Sequence, residues 1–260
     1  MIAAERAFAA EAGRIGWVEA FLAYSTDDAI VIGAVPTNAH QSLSGIDPAN
    51  RGDTSLTWGP EFAGISRGGD IGFTTGPYNG GDTAFGQYFT VWRLQEDGSW
   101  KWIYDGGANQ SAPTTVNPDG DVLQLPLGAR GAGSAAAAIE AVRRREADFA
   151  EAALGGAGAA FADTMAPQGR MNRDDQPSAT GPEGAEQLAG AGGVRYAPPS
   201  VVEAGAAGDL VFTLGEARWE GGSGFYQRIW VLTSAGWKIG YDQIIERPLD
   251  QPAEAEPPAP

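Results

Sequence analysis

The chain has no cysteine among its 260 residues, and its single histidine is His40. Without cysteine it has no disulfide, no thiolate nucleophile and no zinc–thiolate site. His40 lies in a loop rich in Pro, Asn, Ser and Gly without an evident partner, so we expect a surface position for it. The sequence therefore predicts neither a metal site nor thiol chemistry.

Positive charge and long apolar runs are also scarce. The chain has 17 Lys and Arg against 33 Asp and Glu, for a formal net charge of −16. Its one basic cluster is Arg143-Arg144-Arg145, and a chain of this charge repels a phosphate backbone. No apolar run approaches the ~20 residues that span a bilayer. We predict no nucleic-acid partner and no membrane association.

The first residues carry no secretion signal, because Met-Ile-Ala-Ala-Glu already fits a helical pattern and lacks a basic stretch followed by an apolar core. We expect a cytoplasmic protein, or a periplasmic one whose leader was removed. The alanine-rich, lysine-poor composition is typical of a GC-rich bacterial genome.

Several short motifs imitate cofactor sites without the context that these sites need. The glycine-rich residues 156–160 lie in a helical pattern with no strand before them, and residues 128–134 lack the Gly-Lys-Ser/Thr of a P-loop. The acidic pairs Asp27-Asp28 and Asp174-Asp175 lack the spacing of a calcium loop. The sequence predicts no cofactor.

The most informative feature that is present is an internal repeat. GQYFTVWRLQEDGSWKWIYD at residues 86–105 recurs as GFYQRIWVLTSAGWKIGYD at residues 224–242. Residues 5–8 similarly match 146–149, and 69–74 match 208–213, at nearly the same offset. We infer two copies of one domain, each of the ~110 residues that can bury a core. The predicted boundaries are 1–107 for copy one, 108–134 for a linker, 135–248 for copy two and 249–260 for a disordered acidic Pro/Ala tail.

Each copy has the pattern of one long helix followed by antiparallel strands. Apolar residues at helical spacing predict one helix over residues 2–24 and another over about 135–166, the second with a soft glycine-rich interruption at residues 155–158. Segments rich in aromatic and β-branched residues, separated by Gly, Asp and Asn turns, predict the strands. These strands are 29–32, 56–65, 71–77, 85–95 and 100–106 in copy one, and 194–203, 210–219, 225–233 and 237–245 in copy two. This order predicts the α+β class.

The helix, an Asp-Asp-Ala turn at residues 27–29 and a hairpin of the form G-x-Y-x-x-x-W…D-G-S-W-K-x-x-x-D resemble one family. They are similar to the SnoaL-like and ketosteroid-isomerase-like proteins, which share the cone fold of nuclear transport factor. The resemblance covers residues 5–107 and, more weakly, 146–247. It implies two tandem cone-shaped domains, each a long N-terminal helix packed on a strongly curved antiparallel sheet. It leaves the function open, because the same cone serves isomerases, dehydratases, cyclases and binding modules.

The hairpin predicts an aromatic wall on one face of the sheet. The predicted pairs are Trp92–Trp102 and Thr90–Tyr104 on that face, and Phe89–Asp105 and Val91–Ile103 on the other. Copy two has Leu232–Trp237, Trp230–Ile239 and Arg228–Tyr241, a smaller wall that carries one charge. The aromatic residues form core, line a ligand cavity, or do both. The predicted partner is a small apolar or aromatic molecule, and its predicted contacts are Trp17, Tyr24, Trp58, Phe73, Tyr88, Trp92, Trp102 and Tyr104.

Proton-transfer chemistry of the ketosteroid-isomerase type needs a carboxylate base shortly after the Asp-Asp-Ala turn. Gly33 occupies that position in copy one, and residues 169–173 of copy two supply no carboxylate without a register shift, so this chemistry is disfavoured. The resemblance implies Asp105, with Asp242 as its counterpart, as the catalytic candidate. An Asp at a strand end also commonly accepts hydrogen bonds from the next turn, here residues 106–107, and the predicted pairing puts Asp105 opposite the aromatic wall.

Duplication also predicts how the copies meet. Proteins that resemble this fold commonly dimerise through their sheets, so we expect an internal pseudo-dimer and a monomeric chain. The expected contact faces are Val91/Ile103 and Ile229/Gly240. Since copy two has fewer aromatic residues, copy one is predicted to bind the ligand and copy two to be mainly structural.

Two functions fit the sequence. One is a small-molecule binding protein, with lyase- or isomerase-type acid–base activity left uncertain. The other is a non-catalytic interaction module whose cone is plugged by Trp58, Trp92 and Trp102. A cavity of roughly several hundred Å³ that contains a buried carboxyl group favours the first.

Overall fold

The structure is a computed structural model that describes residues 1–126, 131 and 133–247. The predicted tail at 249–260 and part of the predicted linker lie outside these residues. The first half contains α1 (Ile2–Ile15), α2 (Trp17–Tyr24), β1 (Ser25–Ile32), β2 (Pro36–Asn38), α3 (Ala39–Ser44), β3 (Leu56–Trp58), β4 (Phe62–Ile65), β5 (Ile71–Gly80), β6 (Ala84–Leu94), β7 (Trp100–Gln110) and β8 (Leu123–Gln124). The second half contains α4 (Ala135–Gly155), α5 (Ala157–Thr164), β9 (Met165–Asn172), β10 (Ala179–Thr180), α6 (Gly181–Ala189), β11 (Val194–Tyr196), β12 (Val201–Ala204), β13 (Leu210–Trp219), β14 (Gly222–Thr233) and β15 (Gly236–Glu246).

The two halves share one sheet topology. The first sheet has the order β2-β1-β7-β6-β5-β4-β8, with β3 also on β5, and the second has the order β10-β9-β15-β14-β13-β11, with β12 also on β13. In each half the strand after the helices runs parallel to the last long strand, and the long strands form an antiparallel meander. The predicted fold class, two tandem cone-shaped α+β domains, is confirmed.

The long helix predicted at the start of each copy is broken by a glycine. Gly16 separates α1 from α2 with φ of 96°, and a Cβ atom on it would lie 2.3 Å from the Arg51 carbonyl oxygen. Gly156 separates α4 from α5 in the same way. The single helix predicted over 2–24 is therefore wrong, because the close backbone contact at Gly16 leaves no room for a side chain, whereas the break at Gly156 falls in the interruption predicted at residues 155–158. Strand β9, which follows α5, was not predicted.

The final hairpin of each half contains a β-bulge that changes the predicted pairing. Trp92 faces Trp102 as predicted, but Ile103 is an extra residue, so Val91 faces Tyr104 and Thr90 faces Asp105. The predicted pairs Thr90–Tyr104, Phe89–Asp105, Val91–Ile103 and Arg228–Tyr241 are wrong. In the second half Gly240 is the extra residue, and Arg228 faces Asp242. An inserted residue reverses which side chains point to each face of a strand, so Asp105 shares the concave face with Trp92.

The apolar residues form three clusters. One lies between the helices and sheet of the first half and includes Phe8, Val18 and Trp92, and its counterpart in the second half includes Phe149 and Trp230. The third cluster joins the outer faces of the two sheets, and its members include Phe73, Phe89, Val91, Ile103, Tyr104, Phe212, Ile229 and Tyr241.

The contact between the halves is aromatic at its centre. The rings of Phe89 and Tyr241 are stacked with centroids 4.2 Å apart, and those of Tyr104 and Phe212 are 5.1 Å apart. A Cβ atom on Gly240 would lie 2.5 Å from the Leu125 side chain, which follows β8. The two sheets therefore pack with their outer faces together, and part of the segment between the copies packs against them.

Candidate functional site

The first half contains a cavity of about 300 Å³. Phe21 of α2, Trp58 of β3 and Tyr88 of β6 contribute aromatic rings to its lining, and Asp105 of β7 contributes a carboxyl group. Ile245 of β15 contributes to the lining from the second half. The cavity thus combines aromatic surface with one ionisable acid, which is the usual composition of a small-molecule site.

Asp105 reaches this cavity because of the bulge at Ile103. Its Oδ2 accepts a hydrogen bond from the Thr90 hydroxyl at 2.5 Å. Burial raises the pKa of the Asp105 carboxyl well above its usual value, the Thr90 hydrogen bond lowers it in part, and the nearby Glu5 carboxylate raises it further. Asp105 therefore keeps its proton to a higher pH than an exposed aspartate does.

A second buried carboxyl group, that of Glu5 on α1, lies behind the aromatic lining. It accepts hydrogen bonds from the Trp58 indole at 2.6 Å, from the Trp92 indole at 3.0 Å and from the Thr74 hydroxyl. Burial raises the pKa of Glu5, and these three hydrogen bonds oppose that effect. Within the part of the chain that the structure describes, neither Glu5 nor Asp105 forms an ion pair.

Tyr88 provides a further polar group at the cavity. Its side chain is 6% exposed, and its hydroxyl group has no hydrogen-bond partner among the described residues. Burial raises the pKa of this hydroxyl well above its usual value, and the charge of Glu5 raises it further. Tyr88 therefore lines the cavity with a residue whose hydroxyl group stays protonated to a higher pH than that of an exposed tyrosine.

The corresponding region of the second half holds an arginine. The guanidinium of Arg228 is fully buried, and it donates to Asp242 Oδ2 at 2.7 Å and to Glu146 Oε2 at 2.6 Å. Glu146 also accepts hydrogen bonds from Trp230 at 2.7 Å and from Thr213 at 2.6 Å. Two carboxylates therefore neutralise one buried cation.

Aromatic rings surround this guanidinium group. Its carbon atom lies 4.3 Å from the ring centre of Phe149, 4.8 Å from that of Tyr226 and 5.0 Å from that of Tyr196. Burial alone would lower the pKa of Arg228, but the charges of Glu146 and Asp242 raise it above its ordinary value. The site is thus built to hold a planar cation.

The two sites are versions of one arrangement. The equivalent positions are Glu5 and Glu146, Thr74 and Thr213, Thr90 and Arg228, Trp92 and Trp230, and Asp105 and Asp242. The first half keeps both carboxyl groups and the indole and hydroxyl that bind the glutamate. It differs in having a threonine where the second half has the cation.

The second half also has an open cleft, with a volume of about 480 Å³. Arg173, Asp174, Trp219 and Glu246 contribute to its lining, and Arg173 donates to Asp242 Oδ1 at 2.6 Å. Burial raises the pKa of Asp174 to about 6, and a backbone N–H from Asn109 opposes this in part. The cleft is larger than the first-half cavity but is lined by side chains of both charges.

The predicted site residues fall into three groups: some line the cavity, some belong to the core between helices and sheet, and some lie between the two sheets. Trp58, Tyr88 and Asp105 line the cavity. Trp17, Tyr24, Trp92 and Trp102 belong to the core cluster between helices and sheet.

Phe73 and Tyr104 lie between the two sheets, so their predicted place at the ligand is wrong. Phe73 faces Val91 on the outer face of the sheet, and the bulge turns Tyr104 to that face as well. His40 lies on α3 and not in a loop. Its Nε2 is 2.9 Å from the Ser25 hydroxyl, so it has a polar partner that the sequence did not reveal.

Glu5 is the site residue that the sequence analysis missed, although a signal for it was present. Glu5 and Glu146 occupy the same position of the repeat, three residues before Phe8 and Phe149, and therefore lie on the apolar face of their helices. A carboxylate on such a face is rarely buried without a specific partner. Its recurrence in both copies indicated a buried polar site.

Among residues 1–126, 131 and 133–247, no group of His, Asp or Glu side chains is placed to hold a metal ion. In the same residues, no helix is both long and apolar enough to cross a membrane.

No protein-family model matches the sequence, and no curated protein matches it. Solved structures do resemble it, and they include an NTF2-like protein with a cystatin-like fold and a putative scytalone dehydratase, both from Novosphingobium aromaticivorans. The first is 16% identical with a TM-score of 0.35 and covers 45% of this chain and 84% of its own. The second is 10% identical with a TM-score of 0.35 and covers 41% and 82%. An NTF2-like protein of unknown function from Pseudomonas putida is 15% identical with a TM-score of 0.35 and covers 43% and 88%.

Two of these three neighbours are described as NTF2-like, and each of the three covers less than half of this chain. At such identities the likeness concerns the fold alone. The fold assignment rests on the element order and sheet topology of the two halves.

Proposed function

We propose that the first half binds a small apolar or aromatic molecule in its cone. The observation that supports this is the cavity of about 300 Å³, whose lining joins the rings of Phe21, Trp58 and Tyr88 to the carboxyl group of Asp105. This volume lies at the lower end of the range for ligand sites, so the molecule is small. Aromatic walls stabilise an apolar ligand through burial and ring stacking.

The proposal includes an acid–base role for Asp105. A carboxyl group that keeps its proton to a higher pH than an exposed aspartate does can donate it to a molecule bound beside it in the cavity. Gly33, at the position where an isomerase of this fold would carry its base, supplies no side chain. The arrangement therefore favours proton donation by Asp105 as the chemistry of any lyase- or isomerase-type step.

For the second half we propose a structural role. The Arg228 side chain and its two carboxylates fill the place that corresponds to the first-half site. The plugged-cone interpretation therefore suits this half, whereas the first half retains space beside Trp58. The outer face of the second sheet supports the first half through the shared apolar cluster.

The first test is a titration of the isotope-labelled full chain with benzyl alcohol, followed by the NMR amide shifts of Gly106 and Gly107, which line the cavity. We expect these shifts to move in a saturable way. Leu56→Trp, which adds bulk to the cavity lining, should abolish the change. Leu188→Trp, the same substitution at the cleft of the second half, should leave it intact.

Two results would contradict the proposal. One is the absence of any shift at Gly106 and Gly107 at the highest soluble concentration of benzyl alcohol. The other is a response that Leu56→Trp leaves unchanged, since the probe would then bind outside the first cone.

A further inference from the structure

We propose that the first-half cone recognises an organic cation with N–H donors, such as an amidinium, guanidinium or primary ammonium group, attached to an aromatic or apolar body. The cationic group would take the place that the Arg228 side chain occupies in the second half. This inference rests on the proposed function and names the chemical class of its ligand.

The first step of the argument is the duplicated pair of acids. Asp242 and Glu146 bind opposite parts of one guanidinium group, at 2.7 and 2.6 Å. Asp105 and Glu5 occupy the equivalent positions, and the hydroxyl and indole donors around the glutamate are also equivalent. Glu5 already accepts three hydrogen bonds, with the Trp58 indole as a third donor where Glu146 has Arg228, so Asp105 is the acceptor that the first half offers to a cation.

The second step is the cost of leaving such acceptors without a cation. Buried carboxyl groups are unfavourable unless they are paired or protonated. In the second half Arg228 pairs with both carboxylates, but the equivalent position 90 is a threonine, whose hydroxyl donates a hydrogen bond to Asp105 only. A cation that enters from outside would pair with Asp105 as Arg228 pairs with Asp242.

The third step is the aromatic surround. Trp58 and Tyr196 are equivalent, because each is the third residue of its strand, β3 and β11. Phe21 and Phe161 are equivalent, because each is the fifth residue of its helix, α2 and α5. In the second half the ring centres of Tyr196 and Phe161 lie 5.0 and 5.6 Å from the guanidinium carbon of Arg228. The rings that line the first cavity are thus the counterparts of rings that already contact a cation.

The fourth step is access. Gly106 and Gly107 line the first cavity, whereas the positions equivalent to them in the second half, after Asp242, carry Gln243 and Ile244. The first cavity is therefore walled by backbone at these two positions, and the Asp105 side chain beside them is part of its lining.

The charge of the chain points to the same ligand class. A formal net charge of −16 repels carboxylate and phosphate ligands and attracts cations. With acceptors and no basic side chain in its lining, the cavity offers nothing to neutralise an anionic ligand.

The test compares benzamidine with benzamide, its neutral analogue of nearly the same shape, by calorimetric titration of the full chain at pH 7.5. We expect benzamidine to bind at least about tenfold more tightly, which is a modest gain for a charge-assisted hydrogen bond. Asp105→Asn should remove the preference, and Thr90→Arg should abolish binding of both compounds by supplying the cation internally. Glu220→Gln, which removes an exposed carboxyl group from the cleft of the second half, should leave both affinities unchanged.

The outcomes separate this inference from the proposed function. Equal affinities for benzamide and benzamidine contradict the cation site and leave the small-molecule site intact. Binding of neither compound contradicts both. A preference for benzamidine that survives Asp105→Asn also overturns the inference, because the cation would then be bound elsewhere on this acidic chain.

The pH dependence gives an independent readout. The titratable groups near Asp105 are Glu5 of α1, Tyr78 of β5, Tyr88 of β6 and Tyr104 of β7. The pKa values of the three tyrosines are raised above 10, so only the carboxyl groups titrate below pH 8. Because burial raises the pKa of Asp105 and a cation binds its ionised form, benzamidine affinity should rise with pH, by about tenfold per unit for one linked proton. Benzamide affinity should not rise.

Discussion

Position 90 of the first half and its equivalent, position 228 of the second, determine which side chain pairs with the buried aspartate of each cone. Arg228 lies between Glu146 and Asp242, and all three side chains are almost fully buried. Such a group of charges is stable only while it is complete, because loss of one partner leaves an unpaired charge in the interior. Thr90 instead donates one hydrogen bond to Asp105.

This difference predicts unequal effects on stability. Arg228→Thr, which installs the first-half residue, should lower the free energy of unfolding by about 3–5 kcal/mol because the buried Glu146 carboxylate loses its cation and Asp242 keeps only Arg173. Thr90→Ala should cost only about 1 kcal/mol, the value of one hydrogen bond. Urea denaturation of the full chain measures both. A cost for Arg228→Thr no greater than that for Thr90→Ala would show that the buried ion pairs do not stabilise this fold.

At the scale of elements, two glycines in the first helical segment have opposite roles. Gly16 lies at the break between α1 and α2 with φ of 96°, and a side chain there would collide with the Arg51 carbonyl group. Gly13 lies inside α1, is exposed, and has open space around its Cα atom. The sequence pattern treats both as weak points of one helix, but only Gly16 is needed for the turn.

The matched substitutions Gly16→Ala and Gly13→Ala test this distinction. Gly16→Ala should destabilise the protein by about 1–3 kcal/mol through backbone strain and the clash. Gly13→Ala should stabilise it by about 0.5–1 kcal/mol, because alanine loses less backbone entropy in a helix. The midpoints of urea unfolding report both effects, and equal shifts in the same direction would contradict the helix break.

The strands show which elements a single sequence can and cannot predict. Strands β5, β6 and β7 were found because they are rich in aromatic and β-branched residues between clear turns. Strand β9 was missed because Met165–Asn172 contains Pro, Gln, Gly and Arg, and its strand geometry depends on pairing with β15. Such tertiary pairing leaves no periodic signal in the segment itself.

The bulge explains why the candidate site was only partly predicted. Asp105 was implied by the family resemblance, but its face was assigned wrongly, since a strand with one inserted residue cannot be recognised from alternation. Ile103 gives no hint of a bulge, whereas Gly240 at the same position of copy two does, because glycine inside a strand commonly marks one. Comparison of the two copies at that position would have placed Asp105 in the cone.

At the scale of the whole molecule, the halves are joined by polar contacts as well as by the apolar faces of their sheets. The Asn109 N–H donates to Asp174 at 2.7 Å, and the Ser111 N–H donates to Asp175 at 2.7 Å. Both acceptors belong to the second half, whereas Asn109 lies on β7 of the first sheet and Ser111 directly follows that strand. The monomeric state expected from this internal pairing stays a prediction.

Asp174 should make the stability of the joined halves depend on pH. Burial raises its pKa to about 6, so between about pH 4 and 6 the unfolded chain ionises this group more readily than the folded chain does. Stability therefore falls as pH rises through that window. Asp174→Asn removes this loss and should stabilise the protein at pH 7 by less than about 1 kcal/mol, allowing for solvent screening of a partly exposed group.

Calorimetric unfolding of both proteins at pH 4 and pH 7 checks the effect. The variant should match the wild type at pH 4 and exceed it at pH 7. Asp82→Asn, in an exposed turn, controls for the loss of one negative charge. A variant whose stability differs from wild type by the same amount at both pH values would show that titration of Asp174 is not the cause.

A crystal structure of the full chain with benzamidine tests most directly whether the first cone is a vacant counterpart of the Arg228 site. The amidinium nitrogens should lie within hydrogen-bond distance of the Asp105 carboxylate, with the benzene ring against Trp58 and Tyr88. Benzamidine found only at the cleft beside Asp174, or in the first cone with its ring toward Asp105, would contradict that account.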